Sequence, residues 1–219
     1  MKKLFVGASI LCADLGRLAE EAKRAAACGA DALHIDIMDG HFVRNFSLGP
    51  AVVAALNRSV DLFLDVHLMI YHPFDYVERF VEAGADRIIF HFEATESVED
   101  MIDYIRRCNV LAGLAFNPET SFSMVPKYIG ACDLLLLMSV HPGFGGQAFL
   151  PEVLEKIRQT RARAQKMKID QRIQVDGGIN LETGKQAVLA GADELVSGTF
   201  LFGKKEMKEG IRSLKGLSL

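Results

Sequence analysis

The stretch ALHIDIMDGHF, residues 32–42, sets His34, Asp36 and Asp39 among the apolar side chains Leu33, Ile35 and Ile37. Residues two apart on a strand share a face. His34 and Asp36 therefore point one way and the three aliphatic side chains point the other. A buried carboxylate is costly unless something pairs with it, so the pattern asks for a partner. His67, in LFLDVHLM, and Asp176, in IQVDGGI, stand in similar strand-like runs. Two imidazoles and two carboxylates make a set that a divalent cation accepts. A lone His-x-Asp is more often a hydrogen-bonded core pair, and it is the addition of His67 and Asp176 that favours metal. Asp39 precedes Gly40, and a turn role is its simpler account.

A second chemistry is carried by glycine. PGFGGQ (142–147), DGGI (176–179) and SGTF (197–200) each follow an apolar run. Bare backbone N–H groups in such loops cradle phosphate. One Gly-Gly is only a tight turn, but three glycine loops in succession favour a phosphate site. The two features together describe a phosphorylated small substrate, a metal and two carboxylates. A metal polarises a carbonyl oxygen, and two carboxylates on opposite sides of a planar intermediate remove a proton from one face and return one to the other. The outcome is inversion at a carbon next to a carbonyl.

A short repeat shows which elements must position these groups. CGADALHI begins at Cys28, AGADRIIF at Ala83 and AGADELVS at Ala190, with GACDLLLL from Gly130 as a looser copy. Each is read as a helix end capped by glycine, a Gly-Ala-Asp turn and a strand. Counting in this way predicts eight strands at about 4–10, 32–38, 62–69, 87–93, 111–117, 134–140, 172–177 and 194–200. Helical patterns lie between them. One has Asp14 as N-cap and Leu15, Leu18, Ala22, Ala25 and Ala26 on one face. Another starts at Ser97 and buries Met101, Ile102 and Ile105, and a third has Pro151 near its first turn. The arginines of that third helix (Arg158, Arg161, Arg163) and its lysines read as a solvated face.

Strict alternation implies an α/β fold, a single (β/α)8 TIM barrel occupying residues 1–219 as one domain. An open doubly wound sheet is the runner-up, but the first strand is followed by CADLG rather than a glycine-rich turn. Barrel active sites sit at the carboxyl ends of the strands. There the chain offers Ser9; His34, Asp36 and Met38; Asp65, His67 and Met69; His91 and Glu93; Asn117; Met138, Ser139 and His141; Asp176; and Gly198 with Thr199. His91, Glu93 and Asn117 either orient ligands or fill the mouth as satisfied polar groups.

Composition excludes several classes. The formal charge of −3 argues against a nucleic-acid partner, and no apolar run approaches the ~20 residues of a membrane span. The N-terminal MKKLFVGASILCADL imitates a signal peptide, yet Leu11 is too bulky for the −3 position of the only plausible cut, and cleavage would remove the first strand. A cytoplasmic location is expected. The cysteines (Cys12, Cys28, Cys108, Cys132) lack metal spacing and are expected to be free, mostly buried thiols.

HIDIMDGHFVRN, LDVHLM, SVHPGFGGQAF and VDGGI resemble, in this order and over essentially the whole chain, the signature segments of the ribulose-phosphate 3-epimerase family. The resemblance implies interconversion of D-ribulose 5-phosphate and D-xylulose 5-phosphate in the pentose phosphate pathway. It implies His34, Asp36, His67 and Asp176 as ligands of one divalent ion, zinc, iron(II), manganese or cobalt, with Asp36 and Asp176 also the acid/base pair. Ser9, His67 and Asp176 would touch the substrate. Gly143, Phe144, Gly145, Gly146, Gly177, Gly178, Gly198 and Thr199 would hold its phosphate end, and Met38, Met69 and Met138 would line the site. A homo-oligomer is also implied. Ala8 and Cys12 stand where the family commonly has proline and serine, Arg44 where it has proline, and Thr199 where it has serine. A D-allulose-6-phosphate 3-epimerase and a non-catalytic sugar-phosphate-binding barrel are the competing readings. A lyase would be expected to carry a lysine at a strand end, and none is found there.

Overall fold

A computed structural model describes residues 3–203 and 206–217. The outer residues of the single domain expected over 1–219, together with Lys204 and Lys205, lie outside the described residues. The strands are β1 (Phe5–Ser9), β2 (Ala32–Met38), β3 (Phe63–Met69), β4 (Arg87–His91), β5 (Leu111–Phe116), β6 (Leu134–Met138), β7 (Arg172–Asp176) and β8 (Glu194–Ser197). They pair in parallel, in sequence order, and β8 closes on β1. The expected TIM barrel is the observed architecture.

Helices α1 (Leu18–Ala27), α2 (Pro50–Ser59), α3 (Val77–Glu82) and α4 (Val98–Arg107) surround the first half of the barrel. The second half has α5 (Val153–Met167), α6 (Leu181–Ala190), α7 (Thr199–Phe202) and α8 (Met207–Lys215). The alternation has one exception. Two short 3₁₀ turns, Phe122–Met124 and Pro126–Tyr128, join β5 to β6. Pro118, Pro126 and Gly130 leave no uninterrupted stretch for a longer helix there. Several predicted strands run past their observed ends at the carboxyl side, β4 into a 3₁₀ turn (Phe92–Ala94) and β8 into α7. Apolar sequence continues where the ladder stops, because the chain bends there to form the mouth.

Alternation divides the side chains as expected. Leu33, Ile35 and Ile37 join the apolar layer between barrel and helices, with Val6, Val66 and Ile88. The interior is split. One half holds the apolar group Ile89, Ala115, Leu134, Leu136 and Met138. The half formed by β2, β3, β7 and β8 holds His34, Asp36, Asp65, His67, Gln174 and Glu194, all buried. This division sets the polar site against one wall of the barrel.

The repeat has a structural role. Gly29, Gly84, Gly130 and Gly191 all take the positive φ that ends a helical turn with glycine. The aspartate that follows, two residues on in three copies and three on (Asp133) after Gly130, clamps the preceding strand from both sides. Asp31, Asp86, Asp133 and Asp193 donate their backbone N–H to the carbonyls of Val6, Leu64, Ala112 and Ile173. Their carboxylates accept the N–H of those same four residues at 2.7–3.0 Å. Each even-numbered strand is thereby locked to the odd-numbered strand before it.

Some expectations are corrected. Leu15 is exposed, because Asp14 caps a 3₁₀ turn (Leu15–Arg17) and α1 starts only at Leu18. Arg161 is not part of a solvated face. It donates to the carbonyls of Gly191 and Gln171 and pairs with Asp193, tying α5 to the turn before β8. Lys156 is buried and donates to the carbonyls of Asn117 and Pro118. The four cysteines are free, but only Cys132 is fully buried. No described helix is long and apolar enough to cross a membrane.

Candidate active site

His34 and Asp36 from β2, His67 from β3 and Asp176 from β7 meet inside the polar half of the barrel. One ligand atom of each lies within 4.8 Å of the others. His34 Nε2 is 3.4 Å from His67 Nδ1, 3.4 Å from Asp36 Oδ1 and 3.8 Å from Asp176 Oδ2. His67 Nδ1 is 3.0 Å from Asp36 Oδ1. Four donors on a tetrahedron with ligand distances of ~2.0–2.2 Å stand roughly 3.3–3.6 Å apart. The four distances given scatter about that spacing and all four donors lie within 4.8 Å of one another, so the residues could hold a divalent ion.

The donors are held from behind. Asp65 Oδ2 lies 3.0 Å from His34 Nδ1, which holds a proton on that nitrogen and turns Nε2 to the donor set. Asp65 itself is gripped by Arg87 through Nε at 2.7 Å and Nη2 at 2.9 Å. Arg87 also donates to Glu194 at 2.8 Å, and Gln174 Nε2 bridges Asp65 and Glu194 at 2.9 and 3.2 Å. The Ser9 hydroxyl donates to Asp36 Oδ2 at 2.9 Å. Asp65 was visible in the sequence as a strand residue without a role, and neither Arg87 and Glu194 at their strand starts nor Gln174 in the middle of β7 carried a signal.

The two carboxylates are electrostatically unequal. Burial opposes ionisation of Asp36, but His34 and His67 beside it outweigh that and hold it well below the usual carboxylate range. Burial, reinforced by the Asp36 charge, pushes Asp176 up to about 7. Burial holds the His67 imidazole down at about 4. For His34 burial works in the same direction, but Asp36 and Asp65 prevail and raise it well above its ordinary value.

A cleft opens above this set. Ser9, Asp36, Asp176 and the three methionines Met38, Met69 and Met138 line it, with Gly143, Phe144, Gly145, Gly146, Gly177, Gly178, Gly198 and Thr199 on one side. His34 and His67 do not line it, since both rings are completely buried beneath the floor. Cys12 does line it, wedged so closely between two glycine loops that a Cβ on Gly198 would lie 2.6 Å from its Sγ. Leu11, Val140, Pro142, Gln147, Ile179 and Val196 complete the wall. Val140, Pro142, Gln147 and Ile179 belong to the glycine-bearing motifs of the sequence, whereas nothing marked Leu11 and Val196 in advance. Gly178 has φ +62 and would place a Cβ 2.6 Å from the Phe149 backbone nitrogen, so its loop tolerates no side chain. Ala8 points outward into the apolar layer, and Arg44 is exposed. Beside it, Asn45 Nδ2 donates to the Gly143 carbonyl at 2.8 Å and ties the loop after β2 to the glycine loop. Asp39 accepts the N–H groups of His41, Phe42 and Tyr71, the turn role expected of it.

Residues 5–202 match the family model described as the ribulose-phosphate 3 epimerase family. The chain belongs to the ribulose-phosphate 3-epimerase family. The ribulose-phosphate 3-epimerase of Chlamydia muridarum is 50% identical over 99% of this chain and 97% of its own. Those of Bacillus subtilis (43%, 96% of this chain, 98% of that one) and Escherichia coli K12 (40%, 98% and 96%) are also similar over nearly full length. Among solved structures, a 3-hexulose-6-phosphate synthase matches with a TM-score of 0.70 at 16% identity, over 100% of both chains. That likeness concerns the barrel fold. The chain is thus an isomerase, an epimerase of sugar-phosphate metabolism.

The unequal carboxylates of this epimerase set a pH dependence. An unfolded aspartate titrates near ~3.9, below the raised folded value of Asp176. The contribution of Asp176 to stability is therefore fully present below ~pH 4 and is lost as pH rises through about 7. A divalent ion must displace protons from such groups to bind, so its apparent affinity rises with pH. Melting with chelator and with Mn2+ at pH 6 and pH 8 is expected to show the larger metal-induced rise at pH 8. An equal rise at both would count against Asp176 as a ligand.

Proposed function

We propose that the chain interconverts D-ribulose 5-phosphate and D-xylulose 5-phosphate by moving a proton at C3 between two faces of a planar enediolate, as a step of the pentose phosphate pathway. The observation that carries this reading is the placement of Asp36 and Asp176. They come from β2 and β7, meet at one donor set and line the same cleft. His34 and His67 hold Asp36 low while burial and the Asp36 charge raise Asp176 to about 7, so the two carboxylates differ in basicity, as an acid/base pair needs. His34, Asp36, His67 and Asp176 would hold one divalent ion, zinc, iron(II), manganese or cobalt. When bound, that ion supplies Lewis-acid polarisation of the substrate carbonyl, which makes the adjacent C–H more acidic.

The chain's own groups do the rest. One carboxylate removes the C3 proton while the other delivers a proton to the opposite face, and the reverse reaction exchanges their roles. The Ser9 hydroxyl, bonded to Asp36 Oδ2, fixes the angle at which that carboxylate approaches. Met38, Met69 and Met138 present soft apolar surface to the planar intermediate and limit water at the reacting carbon. The backbone N–H groups of the glycine loops at 143–146, 177–178 and 198–199 receive the phosphate and so set C3 over the carboxylates. The full-length relatives named for ribulose phosphate favour the pentose.

Proton NMR of D-ribulose 5-phosphate in D2O tests the reading. With added divalent ion, the C3 proton is expected to exchange while D-xylulose 5-phosphate appears, and a strong chelator is expected to stop both. Absence of exchange with any of the four ions would sink the pentose reading. Unchanged exchange in the chelator would remove the metal from it.

A further inference from the structure

His67 presents Nδ1 to the donor set, so its other nitrogen must make its own contact. Nε2 lies 2.9 Å from Nε2 of His91, a ring that is completely buried and stacked on His67 with centroids 5.0 Å apart. The second nitrogen of His91, Nδ1, lies 3.2 Å from Glu93 Oε2. The other oxygen of Glu93 accepts the Asn117 N–H at 2.9 Å and the Thr120 hydroxyl. With His91 neutral, every proton in this row has a determined place. Glu93 is a carboxylate and only accepts, so His91 donates from Nδ1 and accepts at Nε2. His67 consequently donates from Nε2, and its Nδ1 lone pair faces the donor set.

We propose that Glu93, acting through His91, fixes the tautomer of His67 and thereby sets the affinity of the four-donor site for a divalent ion. The inference rests on the reading that His34, Asp36, His67 and Asp176 hold such an ion. His34 has its carboxylate directly behind it in Asp65. His67 has its carboxylate one imidazole further away, near the surface end of β4. Glu93 and His91 are positioning residues, since neither lines the cleft.

The isosteric change Glu93→Gln has an outcome specific to this arrangement. The Asn117 N–H and the Thr120 hydroxyl both need an acceptor, so the new amide turns its oxygen to them and its NH2 to His91. His91 must then accept at Nδ1 and donate from Nε2. That bond makes His67 accept at Nε2 and carry its proton on Nδ1, inside the donor set. Competition with a chromogenic chelator for Zn2+ is expected to show binding by E93Q about 10- to 100-fold weaker than by the parent, with an unchanged far-ultraviolet circular dichroism spectrum. Long-range nitrogen–proton NMR of the metal-free proteins is expected to find His67 protonated on Nε2 in the parent and on Nδ1 in the variant.

Equal Zn2+ affinity of parent and variant, within about twofold, would overturn the relay while leaving the metal reading intact. A parent that binds no Zn2+ would overturn both. Should E93Q fail to fold, the parent spectrum decides alone. His67 protonated on Nε2 with His91 protonated on Nδ1 supports the relay, and any other pair of tautomers refutes it.

Discussion

Asp176→Asn is expected to lower kcat by about 10²- to 10⁴-fold, the usual contribution of a positioned acid or base. The size of the loss alone does not distinguish a proton donor from a metal ligand, because Asp176 Oδ2 belongs to the donor set. Isotope exchange does. If Asp36 serves one face of C3 and Asp176 the other, the variant keeps one working carboxylate. It should still exchange the C3 proton of one epimer with D2O while losing exchange of the other. Asp36→Asn should show the reverse preference. Both are measured at saturating Mn2+ with metal content checked, so that loss of the ion is not mistaken for loss of the base. A one-base enzyme would behave differently, with one variant exchanging both epimers and the other neither. Loss of both exchanges in both variants, with the ion retained, would also remove the two-carboxylate reading.

Legibility in the sequence followed the range of the interaction. Alternation is local, so the inward face of His34 and Asp36 and the outward face of Leu33, Ile35 and Ile37 could be read from a handful of residues. The Gly-Ala-Asp repeat was visible for the same reason. What its aspartates grip was not, because the partner of Asp31 is Val6 and the partner of Asp193 is Ile173, identified only by strand register. Arg161 looked like its neighbours on a charged helix until the turn before β8 folded against it. Glu93 and His91 were recognisable as polar groups at a strand end, but choosing between orientation and filling needed the 2.9 Å contact to His67. The cleft wall contributed by Leu11 and Val196 had no sequence signal, since apolar residues line many surfaces. The four-donor set was legible because it uses rare residue types, whereas its support uses common ones.

Arg87→Met is expected to destabilise the protein by about 3–5 kcal/mol, the usual effect of removing one partner from a buried ion pair. Arg87 enters β4 and Glu194 enters β8, 107 residues later, and only closure of the barrel joins them. The guanidinium lies near the Phe5 and Phe63 rings, 6.0 and 5.3 Å from their centroids, and neutralises Asp65 and Glu194, both of them buried. Methionine replaces the volume but not the charge, and it leaves two carboxylates out of water. For a chain of this size each kcal/mol shifts Tm by roughly 2–4 °C, which places the expected fall at about 6–20 °C. Arg106→Met removes only the exposed 3.6 Å pair with Asp133 and is expected to cost no more than about 1 kcal/mol. The sign of the pH dependence follows from Asp65. Burial would raise it, but Arg87 and then His34 hold it well below the usual carboxylate range. That stabilisation is present above the unfolded value of ~3.9 and is lost as pH falls through the folded one. The gap between parent and variant should therefore be widest near neutral pH and narrow below ~pH 4, as the abandoned carboxylates take up protons. Thermal and urea unfolding at pH 7.5 and pH 4 measure both quantities. A variant that melts within ~2 °C of the parent at pH 7.5 would show the network to be energetically neutral. Its remaining role would be to hold Asp65 against His34 Nδ1, and through it one donor of the site.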